Sequence, residues 1–432
     1  MLALNYVYFL IITCVGVKYL FSKRVTMTNP LQRGTVLEMN GREAFWVLTF
    51  GTGLLAFSAP GALDLMAVRL LVLEIMLIGG LTMADQRPVW SFPLVMYVVF
   101  LAWIVYGCFY SPAPMYGVRV VLKYIYPVVV ALFASAVVRN TEIFIKAGVT
   151  ARWVAIISII VFFTSLRKVF PGVFWYGTAA AINYISIMIF SLALFFYTDE
   201  RRKNLFYAVL FIVPCFLWVF RTSIMGNALA LMFFALFKYK VKSLPIILGF
   251  LLLVIASIFM VPSVKKKMFN KEDEVSVSQL QSGEISKDDI DSNGRFAMWE
   301  WSMDNFYKNK EITGTGTGNL QETFYALRHP FARIRIVHSD YVQILCDNGV
   351  VGIVLFGASF LLMICHCFMV YNNKCNDIGV RLCAIVAGTA IPGVLLTMMT
   401  DNVINYSMAT ISYPCGFYGM MLGLLKGQNK RK

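Results

Sequence analysis

Apolar runs of about 17–25 residues recur along this chain, separated by short polar stretches rich in Lys and Arg. Each run is long enough to cross a hydrocarbon core of ~30 Å as a helix. The pattern predicts membrane-spanning helices at 2–21, 44–60, 64–84, 89–109, 118–138, 145–165, 178–198, 204–220, 222–238, 244–262, 348–371, 379–400 and 404–425. That is about thirteen spans, with twelve to fourteen compatible with the same pattern. The pair 204–220 and 222–238 is the least distinct, because only Arg221, Thr222 and Ser223 separate them. The first run has no basic leading region and no small-residue cleavage site, so it reads as a membrane helix rather than a signal peptide.

One stretch breaks the pattern. Residues 263–347 are polar and punctuated by Gly, which divides the chain into three parts. These are a first bundle of about ten spans at 1–262, a loop with short helices at 263–347, and a last group at 348–432 with three spans and a basic tail. Polar backbone of this kind stays outside lipid, where its groups can be satisfied. From 265 to 292 the loop is polar and acidic, and it is expected to be mobile. Beyond Asn293 its character changes. Phe296, Trp299, Met303 and Phe306 fall at helical spacing, which predicts an amphipathic helix on the membrane face. Gly314, Gly316 and Gly318 end it in a turn. A second short helix over 320–328 stops before His329 and Pro330, and Ser339 is placed to cap the next span.

Composition agrees with the pattern: hydrophobic residues are 59% of 432 and charged residues 14%, with a mean hydropathy of +0.70. The chain reads as an all-α integral membrane protein. Lys and Arg alternate in density between the two sets of loops. One set includes Lys23, Arg24, Arg42, Arg87, Arg139, Lys146, Arg152, Arg201, Arg202, Lys203 and the C-terminal Lys430, Arg431 and Lys432. The opposite short loops carry Arg119, Lys123, Arg167, Lys168 and Arg221. Cytoplasmic loops hold the excess, so the C-terminus is expected inside, and the N-terminus and the 263–347 loop outside. The net charge of +15 then reflects anchoring beside anionic lipid. No compact basic domain points to nucleic acid. The nine Cys show no CxxC pair, so neither a disulfide framework nor a zinc site is expected.

The loop carries an ordered series: Asn293-Gly294-Arg295, Trp299, Gly314-Thr315-Gly316, His338-Ser339-Asp340-Tyr341, and Gly349-Val350-Val351-Gly352. Upstream, Arg221-Thr222-Ser223 sits at an outer junction of two helices. In order and spacing this resembles the O-antigen polymerase and ligase superfamily of bacterial membrane glycosyltransferases. The departure is Arg221 preceding Ser223, where many members have adjacent Ser-Arg. The resemblance implies a GT-C-like architecture in the bacterial inner membrane with an active site on the outer, periplasmic face. It implies transfer of an oligosaccharide from undecaprenyl diphosphate to an acceptor hydroxyl. Membrane lipids, and a flippase and chain-length regulator of the same pathway, are the partners it suggests.

That chemistry needs a base for the acceptor proton, and a His suits it. It also needs cations on the leaving diphosphate, which Arg can hold bidentately. The motif assigns these tasks to His338, Arg295 and Arg221. Substrate contacts are expected from Arg119, Lys123, Ser223, Trp299, Tyr341 and Asp401. Arg119 and Lys123 are four apart and share a helix face. Asp401, with Asn402, is placed to orient His338 or to bind sugar. The competing reading of each cation is an interfacial anchor, and of His338 a capping residue. His329 and His366 read as structural, and Arg69 and Glu74, inside the third span, should face protein or water. Asp289, Asp291, Asn293, Gly294 and Glu300 also fit a calcium-loop pattern, but the chemistry needs no metal or cofactor if fixed cations hold the diphosphate. Polymerase, ligase and flippase are the competing classes. A flippase should show repeat symmetry and has no need of a His-bearing loop. The His338-Ser339-Asp340-Tyr341 form is more similar to the polymerase branch.

Overall fold

The computed structural model describes residues 4–31, 34–58, 65–175, 177–218, 220–245, 247–249, 252, 256, 260, 294–331 and 334–429. The chain is an all-α integral membrane protein. Its helices are α1 (Leu4–Phe21), α2 (Gly41–Gly51), α3 (Leu65–Thr82), α4 (Phe92–Tyr110), α5 (Pro114–Val137), α6 (Thr141–Phe163), α7 (Leu166–Val169), α8 (Gly177–Tyr197), α9 (Arg201–Leu217) and α10 (Arg221–Tyr239). Within the polar loop lie α11 (Arg295–Ser302) and α12 (Asn319–Tyr325), followed by α13 (Asp340–Asn372), α14 (Ile378–Thr397) and α15 (Ser412–Asn429). Among the described residues, nine helices are long and apolar enough to cross a membrane. The predicted span at 244–262 lies largely outside the described residues, as do Lys265, Lys266, Lys267, Asp289, Asp291 and Asn293. The end of the bundle bearing α11 and α12 is termed the loop face, and the opposite end the tail face.

Two predicted spans take a different form. The last, expected at 404–425, begins at Ser412 because a 3-10 turn over Val403–Tyr406 precedes it. The second, expected at 44–60, is helical only as far as Gly51, with a 3-10 turn at Thr52–Leu54. Beyond it the backbone is extended and bonded to the α7–α8 connection: Ala56 N donates to Val173 O at 2.8 Å and Ser58 N to Gly172 O at 2.7 Å. Carbonyls released from a helix inside a membrane need new donors. Arg69 of α3 supplies them, donating from Nη2 to Thr52 O at 2.8 Å and from Nη1 to Leu55 O. The partner of Arg69 is therefore backbone. Glu74 is also buried against protein.

A hairpin absent from the sequence reading, β1 (Val25–Thr28) paired antiparallel with β2 (Val36–Met39), closes the tail face between α1 and α2. α5, α8, α14 and α15 form the buried centre of the bundle. α14 packs on α8, α10, α13 and α15, and α13 packs on α4. α13 is broken at Gly349, whose φ of 65° is non-helical, so that 340–348 forms a separate half-helix at the loop face.

Candidate functional site

The loop residues are fixed before they are used. Gly314, Gly316, Gly318 and Gly349 have φ of 71°, 102°, 87° and 65°, a region that costs other L-residues. Each also lacks room for a side chain. A Cβ on Gly316 would stand 2.5 Å from Ser111 Cα, and one on Gly318 2.3 Å from Gly117 N. The glycine run is thus a docking turn against α4, α5 and the start of α13. Asp347 locks it, accepting from Gly318 N and Leu320 N, each at 2.9 Å. Thr317 Oγ1 receives Asn348 Nδ2 at 2.6 Å and donates to Ile104 O at 2.7 Å.

His338 follows from this frame. Trp299 Nε1 donates to Val337 O at 2.9 Å, holding the peptide just before it. Ser339 caps α13, its side chain accepting from Val342 N. Tyr341 OH donates to Leu395 O at 2.8 Å, tying the start of α13 to the end of α14. Between these anchors His338 takes a φ of 53°. A non-glycine residue pays ~1–3 kcal/mol for such a conformation, and it persists where surroundings enforce it. Its Nδ1 lies 3.8 Å from Asp401 Oδ1, with the imidazole one-third exposed and the carboxylate nearly covered. At this distance the two interact as charges when the ring is protonated, beyond hydrogen-bond range.

The segment between α14 and α15 is the hub of the site. Asp401 Oδ1 accepts from Asn402 N at 2.8 Å and Tyr406 OH at 3.3 Å. Asn402 Nδ2 donates to Asp340 Oδ1 at 3.2 Å and Gln343 Oε1 at 3.1 Å, and Ile404 N donates to Asp340 Oδ2 at 3.2 Å. These bonds clamp the hub to the half-helix that follows His338.

Basic residues lie at the same end of the bundle. Lys123 Nζ donates to Asn405 Oδ1 at 2.6 Å. Arg295, first residue of α11, acts electrostatically on Tyr406. Arg221 opens α10, and the hydroxyl of its neighbour Thr222 meets that of Thr400 at 2.7 Å. Arg119 lies one turn from Lys123 on the exposed face of α5, 5.2 Å from the Tyr116 ring.

The structure therefore brings His338, Asp401, Arg295, Arg221, Lys123 and Arg119 to one end of the bundle. Three expected substrate contacts sit within the protein frame. Ser223 is fully buried, because α10 enters the core with its first turn. The polar atoms of Trp299 and Tyr341 are bonded to backbone carbonyls and position the loop. Asp347, Gln343 and Asn402 carry the frame but stand out less in the sequence. Spacing was the signal for Gln343, which lies three residues after Asp340 on one helical face. His329 and His366 are structural: His329 bonds Ile334 O and Phe331 N, and His366 bonds Tyr418 OH at 2.6 Å.

Fold and site together define a multi-pass membrane protein with a polar loop-face site combining a histidine, a carboxylate and several guanidinium and ammonium groups. In comparison with known families, residues 206–357 match the family model described as O-antigen ligase. The match runs from α9 through the broken start of α13, so it takes in Arg221, Arg295 and His338. It supports the O-antigen polymerase and ligase superfamily, and points to a glycosyltransferase-like enzyme acting on lipid-linked glycans. No curated protein matches the chain.

Proposed function

We propose that the protein is a polymerase of lipid-linked oligosaccharide repeat units, transferring the growing glycan from undecaprenyl diphosphate to a sugar hydroxyl on the next unit. The observation that carries this reading is the His338–Asp401 pair at 3.8 Å, at the end of the bundle that also carries Arg119, Lys123, Arg221 and Arg295. In the transfer, the acceptor oxygen bonds to the anomeric carbon of the donor sugar. The bond from that carbon to the diphosphate breaks on the opposite side, which inverts the configuration. The acceptor proton passes to His338, and the electron pair leaves with the diphosphate. His338 Nδ1 is buried and turned toward Asp401, so the exposed part of the ring presents Nε2 to the acceptor. Asp401 favours the imidazolium as it forms. Arg221, Arg295, Lys123 and Arg119 stabilise the departing charge, a task that a divalent ion performs elsewhere. The site is expected to face the periplasm from the bacterial inner membrane. Residues 1–262 and 348–432 form its scaffold and 263–347 the loop that completes it.

A ligase, moving finished glycan to a different acceptor, is the second reading, favoured by the description of the matching family model. The form His338-Ser339-Asp340-Tyr341 favours the polymerase. Purified protein given a lipid-linked repeat unit alone decides between them. A ladder of products, persisting in excess EDTA, is the expected result. Product that appears only when a second glycolipid acceptor is added would establish the ligase. A requirement for calcium would replace the fixed-cation account.

A further inference from the structure

A large cavity in the described structure is remote from His338. It has a volume of about 510 Å³ and lies at the tail face, between the β1 hairpin, α6 and the turn joining α8 to α9. Its lining is both cationic and anionic: Lys146 and Arg152 come from α6, Asp199 and Glu200 from the α8–α9 turn, and Lys203 from the first turn of α9. Arg152 is 3% exposed. Its Nη1 donates to Asn204 Oδ1 at 2.7 Å, and its guanidinium carbon stands 4.2 Å from the centre of the Tyr207 ring. Its buried Nε has no hydrogen-bond partner among the described residues. Lys146 Nζ donates to the backbone and hydroxyl oxygens of Thr28, each at 2.8 Å. Lys203 is paired with Glu200 at 2.7 Å. Trp153, also in the lining, is half exposed on the flank of α6.

A buried guanidinium is costly unless a counter-charge or hydrogen bonds compensate it; Asn204 supplies a neutral acceptor, and the carboxylate of Glu200, shared with Lys203, acts on it as a charge. Basic pockets between membrane helices take lipid phosphates. A phosphate alone would meet the carboxylates of Asp199 and Glu200 as well as the cations. A headgroup bearing both charges would not. We propose that this cavity holds the headgroup of a zwitterionic phospholipid with a primary ammonium. The phosphodiester sits at Arg152 and Lys146, and the ammonium at Asp199 and Glu200. Acyl chains then leave past Trp153 into the bilayer.

The test is native mass spectrometry of the full chain in detergent, with phosphatidylethanolamine and phosphatidylglycerol of identical chains. The wild-type protein is expected to retain phosphatidylethanolamine in preference. Lys146→Met and Asp199→Asn, both outside the packed core, should each weaken retention about fivefold, the worth of one surface charge. Arg152→Gln should weaken it at least as much, and the other variants decide the outcome if that protein fails to fold. Wild-type retention in both Lys146→Met and Asp199→Asn would overturn the proposal. So would equal retention of phosphatidylglycerol. Displacement by soluble phosphoethanolamine at concentrations equal to the lipid's would replace the lipid with a free metabolite.

Discussion

At the scale of single residues the decisive contrast is between His338 and the other two histidines. His329 and His366 spend ring nitrogens on fixed partners, whereas His338 turns Nδ1 toward Asp401 without bonding it. Under the proposed mechanism His338→Ala should lower transfer ~10²–10⁴-fold, the usual loss of a general base. Single-turnover assays with the protein's thermal melting unchanged would check this, and near-native turnover would place the base elsewhere. Asp401→Asn should lower the rate less, since an amide keeps the acceptor for Asn402 N and Tyr406 OH but removes the charge that favours the imidazolium. The cations make a separate prediction. Arg→Lys at Arg221 and Arg295 keeps charge but loses the planar fork. Each variant should bind lipid diphosphate more weakly and turn over more slowly; full activity in both would make them membrane anchors. Most of these residues were legible in the sequence, because a polar residue in an apolar chain draws attention. Asp347 was not, since its work is to accept two backbone N–H groups far away in sequence, a role that leaves no local pattern.

At the scale of elements, the glycine turn and the broken second crossing show where pattern alone falls short. Gly314, Gly316 and Gly318 are evident as a turn, but the sequence is silent on what the turn docks against. The second crossing is harder to read. Its apolar run over 44–60 is long enough for a helix, yet α2 ends at Gly51, because the next residues pair with 172–173 and with Arg69. Periodicity reports burial, and residues beyond Gly51 are buried whether helical or extended. Arg69 was the clue, since a charge inside a span needs a partner. Arg69→Leu should remove the guanidinium donors of the Thr52 and Leu55 carbonyls, leaving Thr52 O with Leu55 N alone, at ~1–3 kcal/mol for a buried group left unpaired. A lower melting temperature in detergent, with turnover per folded molecule near wild type, is the expected result. An unchanged melting temperature would mean that these carbonyls find other donors.

At the scale of the whole molecule, the all-α membrane class was plain from composition and run length, while the number of crossings was less so. Nine described helices meet the length and hydropathy of a span. Shorter or more polar pieces, α2, α9 and α15, fill three of the four remaining predicted positions, the fourth (244–262) lying largely outside the described residues, and their contribution depends on neighbours that a hydropathy pattern does not contain. Orientation remains the assumption on which the site's setting rests. The loop face carries α11, α12 and the His338 segment, and the tail face carries the α15 end and the basic start of α9. If the excess of Lys and Arg marks the cytoplasm, a cysteine in place of exposed Lys308 should react with a membrane-impermeant maleimide in intact cells. One in place of exposed Asn429 should react only after the membrane is opened. The native exposed Cys14, Cys365 and Cys375 are first replaced by Ser, so that the new thiol gives the signal. Reversed labelling would turn the His338 site toward the cytoplasm. It would then face away from the compartment where the proposed polymerase must meet its flipped lipid-linked substrate, and glycan assembly by this site would have to be abandoned in favour of cytoplasmic chemistry.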